Sequence, residues 1–199
     1  MEKTVDYYFA TNSPWSYLGH ERFVTLAHEH GATVNLYPID LGKVFPISGG
    51  LPLAKRAPQR QAYRLFELKR WSEHLRVPIH LQPKFAGANP DEAARWVLAA
   101  LEHGIAAGLS MAGGVLRARW AEERDASDPA TLRYVAHHAG LDVDALAARA
   151  GAPEIQARYD EATQKAIDAQ VFGAPWYVYR GEPFWGQDRL DFLARALAK

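Results

Sequence analysis

Strand-forming pattern falls only at the two ends of this chain, with a long helical stretch between them. Near the start, Val5-Asp6-Tyr7-Tyr8-Phe9 alternates with Val5, Tyr7 and Phe9 on one face. A helical pattern runs from Tyr17-Leu18 through Leu26-Ala27 to a stop at Gly31, and Thr33 to Ile39 reads as a second strand with Val34 and Leu36 on one face. Strand, helix and strand in close succession predict a right-handed, parallel βαβ unit. Strand character returns at Trp176 to Tyr179, turns at Arg180-Gly181-Glu182-Pro183 and continues into Phe184-Trp185, a hairpin. Gly186-Gln187-Asp188 then opens a last helix carrying Leu190, Leu193 and Leu197. Two-stranded pieces are marginal alone, so the ends must meet in one sheet. The expected architecture is α/β, βαβ…ββα, in a single domain 1–199 with residues 56–169 as a helical insertion.

Within the middle, Leu41 to Ala57 holds Ser48-Gly49-Gly50-Leu51-Pro52 and reads as a long surface loop, the kind that often carries function. Tyr63, Phe66, Trp71 and Leu75 mark an apolar helical stripe that Pro78 to Pro83 break. Further helices are expected from Asn89-Pro90 to Gly104, from about Ser110 to Glu123, from Asp128-Pro129 to Gly140, from Leu141 to Ala150 and from Pro153 to Ala169. Gly113-Gly114 weakens the first turn of the helix they fall in.

Composition removes several function classes. At 199 residues, 48% hydrophobic and 23% charged, this is an ordinary globular composition. Net charge is zero, so the whole-chain field offers nothing to draw in nucleic acid or an anionic membrane. No apolar run nears the ~20 residues of a membrane span, and Met1-Glu2-Lys3 leads straight into a strand; the expected compartment is the cytoplasm. With no cysteine, disulfides, zinc–thiolate sites and cysteine nucleophiles are excluded, and thiol chemistry needs a thiol from outside.

The turn between the first strand and helix reads Asn12-Ser13-Pro14-Trp15-Ser16-Tyr17-Leu18. Ser13 is a candidate N-cap and Pro14 stands at the first helical position. A hydroxyl beside free helix N–H groups sits where an anion is stabilised. By itself this is also what an ordinary helix cap looks like.

The layout, with this turn and Ala174-Pro175 before the third strand, resembles the thioredoxin fold with a helical insertion. Ser13 and Ser16 stand where disulfide oxidoreductases of that fold carry Cys-x-x-Cys, so disulfide exchange by the protein itself is ruled out. Ser-Pro-Trp-Ser-Tyr-Leu is similar to the turn of the 2-hydroxychromene-2-carboxylate isomerases and the related kappa-class glutathione transferases. Gly173-Ala174-Pro175, Phe184-Trp185-Gly186-Gln187-Asp188-Arg189-Leu190 and the stretch Arg117-Ala118-Arg119-Trp120-Ala121-Glu122-Glu123-Arg124-Asp125 fit the same family.

That resemblance implies a glutathione site. Ser13 would donate to the glutathione sulfur and favour its thiolate. Ala174, before a proline expected in cis at Pro175, would offer its backbone N–H and C=O to the cysteinyl part. Gln187 and Asp188 would hold the γ-glutamyl end, and Arg60 would lie where the kappa enzymes place a lysine. An asparagine expected near Pro52 is replaced by Gly49-Gly50-Leu51. Implied too are a small aromatic substrate and a homodimer for which the sequence carries no signature of its own; charge and hydropathy lead to no nucleic acid and no membrane as partners, and the thiol chemistry requires no metal.

A free thiol of pKa ~8.5 is only about 3% ionised at neutral pH, and moving it to about 6.5 raises the nucleophile roughly twentyfold. A hydroxyl donor and a helix N-terminus suit that task. The leading expectation is therefore a glutathione-dependent isomerase. The alternatives are a kappa-like transferase or peroxidase that consumes the thiol, and a redox-inactive binding protein. Ser13 as a nucleophile needs a base, and His20 lies seven residues on, about ~10 Å up the helix. His28-Glu29-His30 points its rings apart on a helix. The segment Lys55 to Arg76, with seven Lys and Arg, reads mainly as a solvated basic face; the second reading is that Arg56 or Arg60 meets a ligand carboxylate. The six tryptophans are expected mostly in the core, with Trp15 placed to stack on an aromatic substrate.

Overall fold

A computed structural model describes residues 3–199; the Met1-Glu2 start read above lies outside the described residues. β1 (Thr4–Phe9), β2 (Thr33–Pro38), β3 (Trp176–Tyr179) and β4 (Glu182–Trp185) form a mixed sheet in the order β2-β1-β3-β4. β1 runs parallel to β2 with Tyr7 opposite Leu36, and antiparallel to β3 with Tyr7 opposite Tyr177. The two ends of the chain thus meet through β1 and β3, giving the thioredoxin-like βαβ…ββα arrangement. Helices α1 (Pro14–Glu29), α2 (Leu41–Ser48), α3 (Pro58–Leu75), α4 (Asp91–Leu101), α5 (Ile105–Trp120), α6 (Pro129–His138), α7 (Val143–Ala150), α8 (Pro153–Asp168) and α9 (Leu190–Leu197) complete it.

The alternation read in β1 sorts its side chains. Val5, Tyr7 and Phe9 enter the main core with Phe23 of α1, Met111 of α5 and Leu193 of α9. Tyr8 points the other way, to Ile39, Val44, Ala166 and Trp176 under α2 and α8. Both faces are covered, so the site can only be built at the sheet's end, where α1 begins and β3 is entered.

Three expectations are corrected. The Leu41–Ala57 loop contains α2 and a 3₁₀ turn, Leu53–Lys55. Asp40 caps α2, accepting from the Gly42 N–H at 2.7 Å, and Gly49 closes it at φ 76°. Pro46 inside the helix hid it from the pattern. α5 starts at Ile105 rather than near Ser110, which puts Gly113-Gly114 in mid-helix. A Cβ on Gly114 would come within 2.5 Å of Val135 Cγ1, so the glycine is what lets α5 and α6 approach. On α3, Tyr63 and Phe66 are exposed; Leu68 is what the helix buries, with Trp71 and Leu75 packed against the core.

Candidate active site

Ser13 is the N-cap of α1, in extended backbone at φ −87° and ψ 121°. Its buried Oγ accepts from the Ser16 N–H at 3.1 Å and donates to the Ala174 carbonyl at 3.2 Å. The cap therefore also bridges to the loop that enters β3. Pro14 has no N–H, and the Trp15 N–H has no partner among the described residues, so the first turn keeps an open donor. Ser16 is fully buried and its Oγ has no hydrogen-bond partner. The two serines at the Cys-x-x-Cys positions thus differ: one joins the site and the other is sealed into the core.

The Ala174–Pro175 peptide is cis. Ala174 was expected to offer both backbone groups; its carbonyl already accepts from Ser13, while its N–H has no partner. The Pro175 carbonyl accepts from the Gly186 N–H at 2.9 Å, tying this loop to the turn after β4. Gly186 has φ 102°, and a Cβ there would stand 2.5 Å from Asp188 Oδ1, so the turn requires glycine. Gln187 and Asp188 begin a 3₁₀ turn, Gln187–Arg189, that precedes α9. Gln187 is buried, and Arg22 Nη1 donates to its Oε1 at 2.8 Å and to its carbonyl at 3.2 Å. Asp188 is partly exposed and pairs with Arg189 at 2.9 Å.

These groups open on a cavity of about 1030 Å³. Ser13, Arg60, Ala174, Gln187 and Asp188 line it, whereas Pro175 does not. Leu41, Phe45 and Leu53 contribute from the 41–57 segment, but Gly49, Gly50 and Leu51 stay outside. Arg56, Arg60 and Arg64 line the cavity, while Lys55, Lys69, Arg70 and Arg76 are exposed and make up the solvated basic face read from the sequence. Arg56 Nε donates to the Leu51 carbonyl at 2.8 Å, and Arg64 lies over the Trp120 ring at 5.8 Å. Neither Arg60 nor Arg64 has a carboxylate partner among the described residues. Burial first, then the neighbouring Arg56 charge, hold Arg64 below the ordinary arginine range; burial and Arg60 do the same to Arg56.

Trp15, Trp71, Trp120 and Trp185 line the cavity too; Trp96, Trp120 and Trp176 are buried and Trp15 and Trp71 pack against the core, as expected, while Trp185 is exposed. Trp185 and Phe172 meet edge to face at 4.7 Å on its rim. The sequence reading missed Arg64, Trp71, Trp120 and Trp185 as wall residues. One signal was available: Arg60 and Arg64 are one helical turn apart, so they share a face.

Nucleophilic use of Ser13 lacks a base. No histidine lines the cavity among the described residues. His20 is buried in the core, its Nε2 donating to the Leu109 carbonyl at 3.0 Å and its Nδ1 facing the Tyr7 hydroxyl at 3.3 Å. Burial pushes its pKa down and keeps it neutral.

The family model described as a DSBA-like thioredoxin domain matches residues 4–198. A 2-hydroxychromene-2-carboxylate isomerase of Sphingobium xenophagum is 33% identical over 97% of each chain. The chain belongs to the 2-hydroxychromene-2-carboxylate isomerase family. A solved structure of such an isomerase superposes with a TM-score of 0.81 at 29% identity, covering 98% of this chain and 94% of that one. Human glutathione S-transferase kappa 1 is 26% identical over all of this chain and 92% of its own length. The protein is accordingly an enzyme on a thioredoxin fold, with Ser13 and Ser16 in its first helical turn and no cysteine in the chain. The family match accounts for the layout of sheet and insertion; the roles of individual side chains have to come from the cavity's chemistry.

Proposed function

We propose that the protein is a glutathione-dependent isomerase of the 2-hydroxychromene-2-carboxylate type, acting on an aromatic conjugated keto acid. The observation that carries the reading is the Ser13 hydroxyl, buried at the start of α1 between the Ser16 N–H and the Ala174 carbonyl, on the wall of a cavity that no histidine lines among the described residues. The residues present fit glutathione: the Ala174 and Trp15 N–H groups are open donors, and Arg60 and Asp188 offer opposite charges on opposite walls.

Glutathione, when bound, would supply the thiolate nucleophile for reversible addition to a conjugated carbon, the chemistry that frees rotation about a double bond. Ser13 turns its hydroxyl from Ala174 to the sulfur and, with the N-terminus of α1, holds the thiol ionised. The Ala174 N–H takes the cysteinyl carbonyl, and Pro175 fixes that backbone edge. Asp188 accepts the γ-glutamyl ammonium, Gln187 gives its Nε2 donors to the neighbouring carboxylate, and Arg60 takes the glycyl carboxylate. Trp15 stacks on the aromatic substrate. Among the described residues no helix is long and apolar enough to cross a membrane, and we place the enzyme in the cytoplasm as a homodimer.

A second reading, a kappa-like transferase or peroxidase, has support from the human relative's name. One experiment separates them: incubate enzyme, glutathione and 2-hydroxychromene-2-carboxylate, following the ring-opened trans isomer by absorbance and free thiol by titration. Isomer formation that requires glutathione with the thiol pool unchanged is expected. Thiol consumed in step with product supports the second reading, and isomerisation independent of glutathione contradicts both.

A further inference from the structure

The wall farther along α3 from Arg60 holds polar groups that the glutathione reading leaves unused. Arg64 lies one helical turn, ~6 Å, along α3 from Arg60 and has no carboxylate partner among the described residues. Its guanidinium sits over the Trp120 ring at 5.8 Å. Trp120 lines the same cavity, and its indole Nε1 is buried with no hydrogen-bond partner. That nitrogen is closed off from any oxygen-sized group, so the half-buried, unpaired Arg64 is the donor that an acceptor in the cavity meets. Neither carboxylate on the cavity wall serves: Asp188 pairs with Arg189, and Glu67 pairs with Arg70.

The occupant must therefore bring an anion. A charged, planar guanidinium with paired N–H donors suits a carboxylate oxygen pair. Trp71, seven residues after Arg64 and so on a similar face of α3, lines the cavity beside them and offers a ring to an aromatic body. The volume, about 1030 Å³, is at the upper end for a single ligand and leaves room for an acceptor next to a tripeptide.

We infer that Arg64, seated over the Trp120 ring, forms the subsite for the acceptor's carboxylate, and that it, not Arg60, sets the enzyme's preference for aromatic acids over neutral aromatics. This rests on the glutathione reading, in which Arg60 is taken by the glycyl carboxylate. The subsite has its own readout, because discrimination between an acid and its amide does not require turnover.

The test uses cinnamate and cinnamamide as probes, an aromatic conjugated acid and its neutral partner. Their dissociation constants are measured by tryptophan fluorescence and by calorimetry, with and without saturating glutathione. The proteins are the parent, Arg64→Gln, Arg64→Lys, Trp120→Phe and Arg60→Gln, each with its thermal midpoint recorded. The parent is expected to bind cinnamate about ten- to a hundredfold more tightly than cinnamamide. Arg64→Gln should erase that preference by weakening cinnamate alone, with Arg64→Lys intermediate. Trp120→Phe, which keeps an aromatic face under the guanidinium, should leave the preference largely intact. Arg60→Gln should weaken glutathione and leave the preference intact.

An unchanged preference in Arg64→Gln overturns the inference, as does a preference that moves with Arg60→Gln or none in the parent. Absence of glutathione binding, with the acid preference still tracking Arg64, would overturn the glutathione reading and leave the subsite standing.

Discussion

On the sheet side of the cavity the polar side chains of Ser13, Gln187 and Asp188 are already bonded and the Trp15 and Ala174 N–H groups stay open, whereas on the helical side the cations have no carboxylate to meet. Ser13 Oγ joins Ser16 to Ala174, the Pro175 carbonyl holds Gly186, and Arg22 holds Gln187. Across from them Arg60 and Arg64 stand unpaired, and Tyr63 and Phe66 on the same helix stay exposed. The sheet-side wall is preorganised, so a ligand there exchanges one set of hydrogen bonds for another at little reorganisation. The helical wall is completed only by a ligand. That difference suits a constant cofactor on one side and a varying acceptor on the other.

The largest effect that would break the comparison is on stability. Reduced glutathione at a hundred times its dissociation constant should stabilise the fold by ~2.7 kcal/mol, a rise of about 5–10 °C in midpoint for a chain of this size. Glycine and oxidised glutathione serve as controls in the same melts, and an unmoved midpoint would mean the sheet-side wall is not a peptide site.

Ser13→Ala follows in size. It removes a donor from a charged sulfur, so turnover at about pH 7 should fall roughly ten- to a hundredfold, with part recovered at higher pH. Glutathione affinity should change little, because Ala174, Gln187 and Asp188 remain. Asp188→Asn should do the reverse: a loss of up to about tenfold in glutathione affinity by calorimetry and little change in saturated turnover.

Two smaller effects sharpen the contrast by probing polar groups behind the sheet-side wall. Burial depresses the pKa of His20, so the unfolded chain takes up this proton first as pH falls. Its contribution to stability is full above about pH 6.5 and is lost below it, until the folded pKa is passed. Urea midpoints should decline from about pH 6.5 downward, and His20→Gln should flatten that slope by up to one proton. An identical slope in the variant would show that His20 is not held neutral. Ser16→Ala removes a hydroxyl that has no partner; stability should move by less than about 1 kcal/mol and turnover not at all.

Legibility in the sequence followed the same division. The strands were readable because Val5, Tyr7 and Phe9 alternate, and the cap because Ser13-Pro14 opens a helix. α2 was missed where Pro46 and Gly49-Gly50 imitate a loop, although Asp40 was a capping signal in plain view. Local chemistry decides such elements, and it can be read. The helical wall is decided by tertiary packing. Leu68 anchors α3 and turns Phe66 outward and Arg64 toward the cavity, and no periodicity distinguishes a cavity-facing arginine from a solvated one. Gly113-Gly114 show the same limit: they read as helix breakers, yet they mark where α5 packs closely.

The central claim is that Ser13 holds a bound thiol as thiolate, and the absorbance of enzyme-bound glutathione titrated against pH tests it most directly. In the parent protein the thiolate signal should rise with an apparent pKa of about 6.5, and in Ser13→Ala it should climb back toward ~8.5 with binding retained. If the two proteins bind glutathione alike and titrate alike, Ser13 is a helix cap alone and the account of this site is contradicted.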